Sequence, residues 1–315
     1  MEYSSSPDKI TRDFFDSLLL ETRYLDSVTP DTGVEIFGER FATPIMTAAL
    51  SHLGSGGKRG ADFTGHSTLN GMIVYAQAAA KSNALHWVGM GDDRELEDIV
   101  ATGAKSVKIV KPLEDNDEVI RELQFAASTG CIAVGMDIDH AFNAAGGYDN
   151  VFGIQMKSKS ESELRDFVQA AGIPFVAKGI LSPKDAEKCA RAGCAGIVIS
   201  HHHGMMPYSV APLMVIEDII GATGKDMDIF VDCGIESGAD AYKCLALGAK
   251  AVSVGRHLMP LIKEGAEAVS SRINEMTCEL AGIMARTGVR SVRDMDPSVI
   301  HRRNFNQCYS EHHLH

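Results

Sequence analysis

The sequence predicts an α/β protein: a (β/α)8 TIM barrel in a single domain, preceded by an amino-terminal capping segment. Three observations predict it. A phrase of small residues ending in glycine recurs along the chain, each time just before a short apolar run. Those runs are apolar almost throughout rather than alternating, as strands covered on both faces by helices must be. Counted together they number eight, the closing number of the barrel. An open doubly wound sheet is the rival, but it needs a phosphate-binding turn after its first strand, and Ala49 to Gly57 does not have that shape.

Residues 1–42 form the capping segment, expected at the bottom of the barrel; residues 43–295 form the barrel, and 296–315 a tail that frays from Asn304. The first two strands are Pro44 to Ala48 and Ala84 to Val88, separated by a long glycine-bearing loop from Ser51 to Gly71. Gly103, Gly130, Gly172, Gly193, Gly224 and Gly248 then each close a helix, at the position that tolerates positive φ. They introduce Ser106 to Val110, Ile132 to Met136, Pro174 to Ala177, Gly196 to Ile199, Ile229 to Val231 and Ala251 to Val254. Between the strands, Glu95 to Val100, Glu118 to Ala127, Glu161 to Val168, Pro183 to Ala190 and Gly238 to Leu247 have helical texture. Ser182-Pro183 supplies an N-cap and first-turn proline, and a last helix runs from Leu261 to about Arg286. His140 to Ser160 is a second long loop, after strand four; loops after strands shape a barrel's pocket.

Composition narrows the function. With 315 residues, 45% hydrophobic and 23% charged, the chain is an ordinary globular protein large enough to need no disulfide staples. Thirty Lys plus Arg against 42 Asp plus Glu leave a charge of −12, the wrong sign for nucleic acid or anionic membranes. The seven cysteines are scattered without a Cys-x-x-Cys pair, as small buried hydrophobes of a reducing cytosol. No apolar run is long enough to span a membrane, and Met1 to Arg12 is too polar for a secretion signal, so a cytoplasmic location is expected.

Polar residues gather where a barrel keeps its chemistry. Asp137 ends strand four, Lys178 strand five and Asp232 strand seven; His202 follows strand six, and Gly255-Arg256 follow strand eight. Any one of them alone is as easily a capping acid or a snorkelling lysine; their common position at carboxyl ends is the signal. A carboxylate, an imidazole and a lysine make an acid–base set with an electrostatic sink. Glycine turns at Gly234 and Gly255, each opening a helix, present N–H groups to an anion. His201-His202-His203 is not a metal site on this reading, because neighbouring side chains in extended backbone point apart, and no metal is expected. His312, His313 and His315 belong to the tail, and Tyr75 and Trp87 to the core.

Phe175 to Ile180, Gly196 to Gly204 and Asp232 to Arg256 together resemble the FMN-dependent α-hydroxy-acid dehydrogenase/oxidase family, which includes glycolate and lactate oxidases. Arg23 to Asp26 and Pro44 to Ala49 fit its entry to the first strand, and the likeness spans about residues 20–295. The resemblance implies FMN as cofactor, with Ala48, Ala49, Leu50 and Ser51 along the flavin and Lys108 at its pyrimidine edge. It implies Lys178 beside N1 and the C2 carbonyl, Ser200 in contact with the flavin, and Asp232, Gly234, Ile235, Gly255 and Arg256 on the phosphate arm. His202 aligns with the family's base and Asp137 with the acid that orients it, and a homotetramer is implied.

The departures concern the substrate. Met205 stands where the family has an arginine that grips the substrate carboxylate, and Ile138 to Ala145 lacks the second one. Val110 and Gly91 stand for a tyrosine and an aromatic residue, and Glu236 for an arginine at the phosphate. An arginine–carboxylate contact contributes roughly 1.5–3 kcal/mol, so its loss disfavours small acids at least about tenfold. The expected protein is an FMN oxidoreductase with a bulkier or uncharged small-molecule substrate and an unspecified electron donor or acceptor. Lys58, Arg59 and Lys111 are candidate replacement cations. The alternatives are a redox-neutral FMN isomerase similar to type 2 isopentenyl-diphosphate isomerase and a flavin-binding protein without turnover.

Overall fold

A computed structural model describes residues 4–54, 70–224 and 227–303. Lys58, Arg59, Cys308 and the three tail histidines lie outside them. Eight parallel strands form the sheet: β1 (Ile45–Thr47), β2 (His86–Val88), β3 (Ser106–Val110), β4 (Ala133–Asp137), β5 (Phe175–Ile180), β6 (Gly196–Ile199), β7 (Asp228–Val231) and β8 (Ala251–Val254). From β2 to β8 each strand pairs with its sequence neighbour, and β8 pairs with β1. Between β1 and β2 the ring closes through the N–H of Thr47 on the Leu85 carbonyl (3.2 Å) and of Gly89 on the Leu50 carbonyl (2.9 Å).

Ahead of the barrel stands α1 (Pro7–Ser17). The barrel's helices, one after each strand, are α2 (Gly71–Lys81), α3 (Asp93–Ala101), α4 (Asn116–Thr129), α5 (Glu161–Ala171), α6 (Pro183–Ala192), α7 (Pro212–Thr223), α8 (Gly238–Ala246) and α9 (Ala266–Arg286). Ser182 caps α6 as its sequence foretells, its hydroxyl accepting from the N–H of Asp185 (3.1 Å). All six glycines singled out as helix stops have positive φ.

Alternation sorts the strand residues into two layers. Met46, Trp87, Val107, Ile109, Val176, Val198 and Phe230 fill the lumen, whereas the intervening residues pack under the helices. A hairpin of Val34–Ile36 and Glu39–Phe41 closes the bottom, burying Val34, Ile36 and Phe41 against that lumen cluster, a contribution of roughly 1.5–3 kcal/mol per side chain.

The hairpin is the part of the amino-terminal segment that caps the bottom as expected; the start of the segment does not. Helix α1 lies at the opposite end, where Asp8 pairs with Arg256, Thr11 with His201 and Arg12 with Asp240. The described part of the tail is also docked: Ile300–Arg302 pairs antiparallel with Leu18–Leu20, and Val299 is buried against α8 and α9.

Candidate functional site

Continuing the lumen alternation upward by two residues gives the floor of the site. Val107 and Ile109 lead to Lys111, Ala133 and Gly135 to Asp137, Val176 to Lys178, Val198 to Ser200, and Phe230 to Asp232. These polar side chains therefore converge because each strand's register carries them past the last apolar layer. Lys178 Nζ donates to Asp137 Oδ1 (2.9 Å), and Lys111 Nζ to Asp137 Oδ2 (2.8 Å). Asp232 Oδ2 lies 3.9 Å from Lys178 Nζ, on its other side. His202 Nδ1 is 3.4 Å from Lys178 Nζ, 3.2 Å from Asp139 Oδ1 and 3.7 Å from Asp137 Oδ1. Its backbone N–H donates to Ser200 Oγ (3.0 Å), which ties the histidine to the end of β6.

Burial makes this pairing obligatory. Lys178 and Asp137 expose only 5% and 4% of their side chains, and an unpaired charge at that depth is prohibitive. Burial alone would push the Asp137 carboxyl up, but Lys111 and Lys178 overcome it and hold it well below the carboxylate range. Burial would likewise pull Lys178 down, and Asp137 and Asp232 hold it up instead, as an ammonium. One ligand atom each of Asp137, Asp139 and His202 lies within 4.8 Å of the others, and the Lys178 ammonium stands beside two of them, Asp137 and His202. His201 turns the other way, its Nε2 2.9 Å from Thr11 Oγ1, so the three consecutive imidazoles do not converge.

Above this floor opens a cavity of ≈ 450 Å3, in the range that holds a cofactor or drug-sized ligand. Ala48, Ala49 and Leu50 form an apolar wall suited to a flat ring; Lys178, His202 and Asp232 form its floor. Gly234, Ile235, Gly255 and Arg256 line the far end. A Cβ at Gly255 would stand 3.2 Å from the Ala48 Cβ, so glycine keeps the two walls apart there. The donor set fits a flavin mononucleotide: an apolar wall, a fixed ammonium and a guanidinium at the anion end. That end also carries two acids, Glu236 and Asp8, the latter bonded to Arg256 through both oxygens (2.7 and 2.5 Å).

Several expected contacts fall elsewhere. Lys108 and Val110 occupy the outward positions of β3. Lys108 donates to the Gly89 carbonyl (2.6 Å) and faces Glu95 and Glu122 under the helices, while Val110 packs in the outer layer. A one-residue slip in register exchanges the faces of a strand, and Lys111, expected only as a candidate replacement cation, is the residue that enters the lumen here. Gly91 sits against Glu95, whose carboxylate a Cβ would strike. Met205 is 40% exposed, and neither it nor Gly91 lines the cavity described above. Ser51 accepts from the Met90 N–H (2.7 Å), and Ser200 is buried beneath His202 rather than in the cavity lining.

Asp139, His140 and His203 were not foreseen. Asp139 and His140 stand in a 310 turn (Ile138–Ala141), outside any periodic pattern, and His140 packs edge-on to His202 with ring centres 4.5 Å apart.

The model of the FMN-dependent dehydrogenase family matches residues 7–164 and 144–302 of the chain. An FMN-dependent alpha-hydroxy acid dehydrogenase of Schizosaccharomyces pombe is 26% identical over 92% of this chain and 82% of its own length. Human 2-hydroxyacid oxidase 2 is 26% identical over 93% of this chain and 90% of its own. Among solved structures, a mandelate oxidase variant bearing a monooxide FMN adduct superposes with a TM-score of 0.82. It is 24% identical, with 96% of this chain and 92% of that one covered, a likeness of fold.

Proposed function

The chain belongs to the FMN-dependent dehydrogenase family, and from that premise we propose that it moves a hydride between a small organic substrate and FMN while His202 carries the accompanying proton. The observation that carries this is the convergence of His202, Lys178 and Asp137 within 3.7 Å beneath one cavity. FMN, when bound, supplies the two-electron exchange at N5. The remaining work is done by the chain. Lys178, kept charged by Asp137 and Asp232, offers a fixed positive charge to electron density that gathers on the cofactor. His202 lines the cavity with Nδ1 engaged by its neighbours, which leaves Nε2 as the atom able to take or return a substrate proton.

The substrate proposed is not a simple small 2-hydroxy acid. Among the described residues, the lysine and arginine that line the cavity, Lys178 and Arg256, each already hold a carboxylate. Lys111, a candidate replacement cation, is likewise spent on Asp137. Arg256, whose exposed pair with Asp8 can yield to an anion, is the fork assigned to the FMN phosphate, so among the described lining residues a substrate carboxylate would meet no second one. The protein is further proposed to act as a homo-oligomer, and in the cytoplasm, where the free cysteines among the described residues, five of them buried, suit a reducing compartment; among the described residues no helix is long and apolar enough to cross a membrane.

The test is a panel of alcohols, amines, hydroxy acids and enones mixed anaerobically with the FMN-loaded protein, read by flavin absorbance near about 450 nm. Bleaching by an uncharged or bulky donor, with lactate and glycolate at least about tenfold slower, is the expected result. An absence of bleaching across the panel would favour a flavin binder without turnover, and equal rates with lactate would remove the proposed specificity.

A further inference from the structure

The position of His202 between two unlike neighbours carries an inference about what sets its chemistry. A carboxylate can only accept a hydrogen bond and an ammonium can only donate one. Nδ1 of His202 has one of each within reach: Asp139 Oδ1 at 3.2 Å and Lys178 Nζ at 3.4 Å. If Asp139 prevails, Nδ1 carries the hydrogen and Nε2 is left with a lone pair facing the cavity. If Lys178 prevails, Nδ1 is the acceptor, Nε2 carries the hydrogen, and the ring is no base. We infer that Asp139, rather than Asp137, is the positioning residue that fixes the working tautomer of His202; the inference rests on the proton-carrying role proposed for that histidine.

Asp137 is unsuited to the task because its oxygens are taken. One accepts from Lys178 and the other from Lys111, at 2.9 and 2.8 Å, and the approach to Nδ1 is 3.7 Å, beyond a hydrogen bond. Its service is indirect: together with Asp232 it draws the Lys178 ammonium away from the imidazole, which leaves Nδ1 to Asp139.

The backbone makes room for Asp139 in two ways. It stands in the 310 turn that follows β4, which bends its side chain back toward β5. The adjoining strand, β5, breaks its regularity there, with a shift in its register on β6 between Lys178 and Ile180 and a glycine between them at φ +94°. A Cβ on Gly179 would lie 2.3 Å from Asp139 Cγ, so only glycine admits this carboxylate. The other groups facing the ring are imidazoles: His140 edge-on at 4.5 Å between ring centres, and His203 at 6.1 Å. Burial holds both at about 4, so they stand neutral at pH 7 and add no competing charge.

The experiment is nitrogen NMR of histidine-labelled, FMN-loaded protein, with the His202 signals assigned by their loss in His202→Ala. The parent is expected to show Nδ1 protonated and Nε2 bare. Asp139→Asn, which keeps the shape but can donate, shifts the population toward Nε2–H and slows flavin reduction by about 10²-fold or more with KM little changed. Asp139→Glu, which restores an acceptor, recovers part of both. An unchanged tautomer in Asp139→Asn overturns the inference, as does an unchanged rate. The tautomer needs no turnover to be read, so it decides the role of Asp139 separately. Should His202→Ala itself reduce its flavin at the parental rate, it is the proton-carrying role of His202 that falls.

Discussion

The two ends of one cavity are built on opposite principles. At the floor, Lys111, Asp137, Lys178 and Asp232 are buried, and each oppositely charged partner is locked by the loss of water. At the anion end, Arg256 and Asp8 leave 50% and 36% of their side chains exposed, and their contact joins the barrel to α1 rather than one strand to the next. A buried pair is weak evidence of net stability but ruinous to break, whereas an exposed one contributes about 0–1 kcal/mol and is readily exchanged. The floor is thus a fixed electrostatic instrument, and the anion end, on the function proposed, is a site where one carboxylate would yield to a phosphate.

The sharpest way to break that contrast is at the floor. Asp137→Leu leaves two buried lysines without their shared partner and is expected to cost about 3–5 kcal/mol in urea unfolding; a loss below about 1 kcal/mol would mean that water reaches the cluster.

Acid should come next in size. His140 and His203, pulled by burial to about 4, bind fewer protons folded than unfolded. Their contribution to stability is therefore complete above an ordinary histidine pKa of about 6.5 and is lost as pH falls from there toward about 4. Asp137, held below its ordinary value, gives way only at still lower pH. The urea midpoint is expected to drop between pH 7.5 and 5, and less so in His140→Gln. An identical drop in that variant would show that His140 is charged or water-exposed in the folded protein.

At the anion end the effect is smaller and of opposite sign. Asp8→Asn frees Arg256 and should tighten FMN binding by about 1.5–5-fold, the equivalent of an exposed ion pair, with little change in stability. Weaker binding would mean that Asp8 orients Arg256 for the phosphate instead of competing with it. Smallest of all is Met205→Arg. The side chain is exposed and outside the cavity lining, so turnover of lactate is expected to rise by less than about threefold. A larger gain would place that loop over the substrate.

The same contrast explains what the chain disclosed in advance. Helix stops and apolar strands are local, and the six glycines and eight strands could be counted from the pattern of residues along the chain. The floor was nearly as legible, because alternation along each strand fixes which residue enters the lumen; the one slip, at β3, traded Lys111 for Lys108 and Val110. At the anion end Gly234, Ile235, Gly255 and Arg256 were legible, but the partner of Arg256 was not. Nothing near Asp8 announces that α1 travels to the catalytic face to meet Arg256, some two hundred and fifty residues away. Asp139 was hidden for a different reason: it lies in a turn with no period, and its reach depends on a glycine in another strand.

The central claim is that the imidazole over this buried floor carries the substrate proton, and stopped-flow flavin reduction in His202→Ala tests it most directly. The variant is expected to be as yellow as the parent and to bleach about 10²-fold more slowly or worse with the best donor from the panel. Bleaching at the parental rate, with flavin content unchanged, would contradict it.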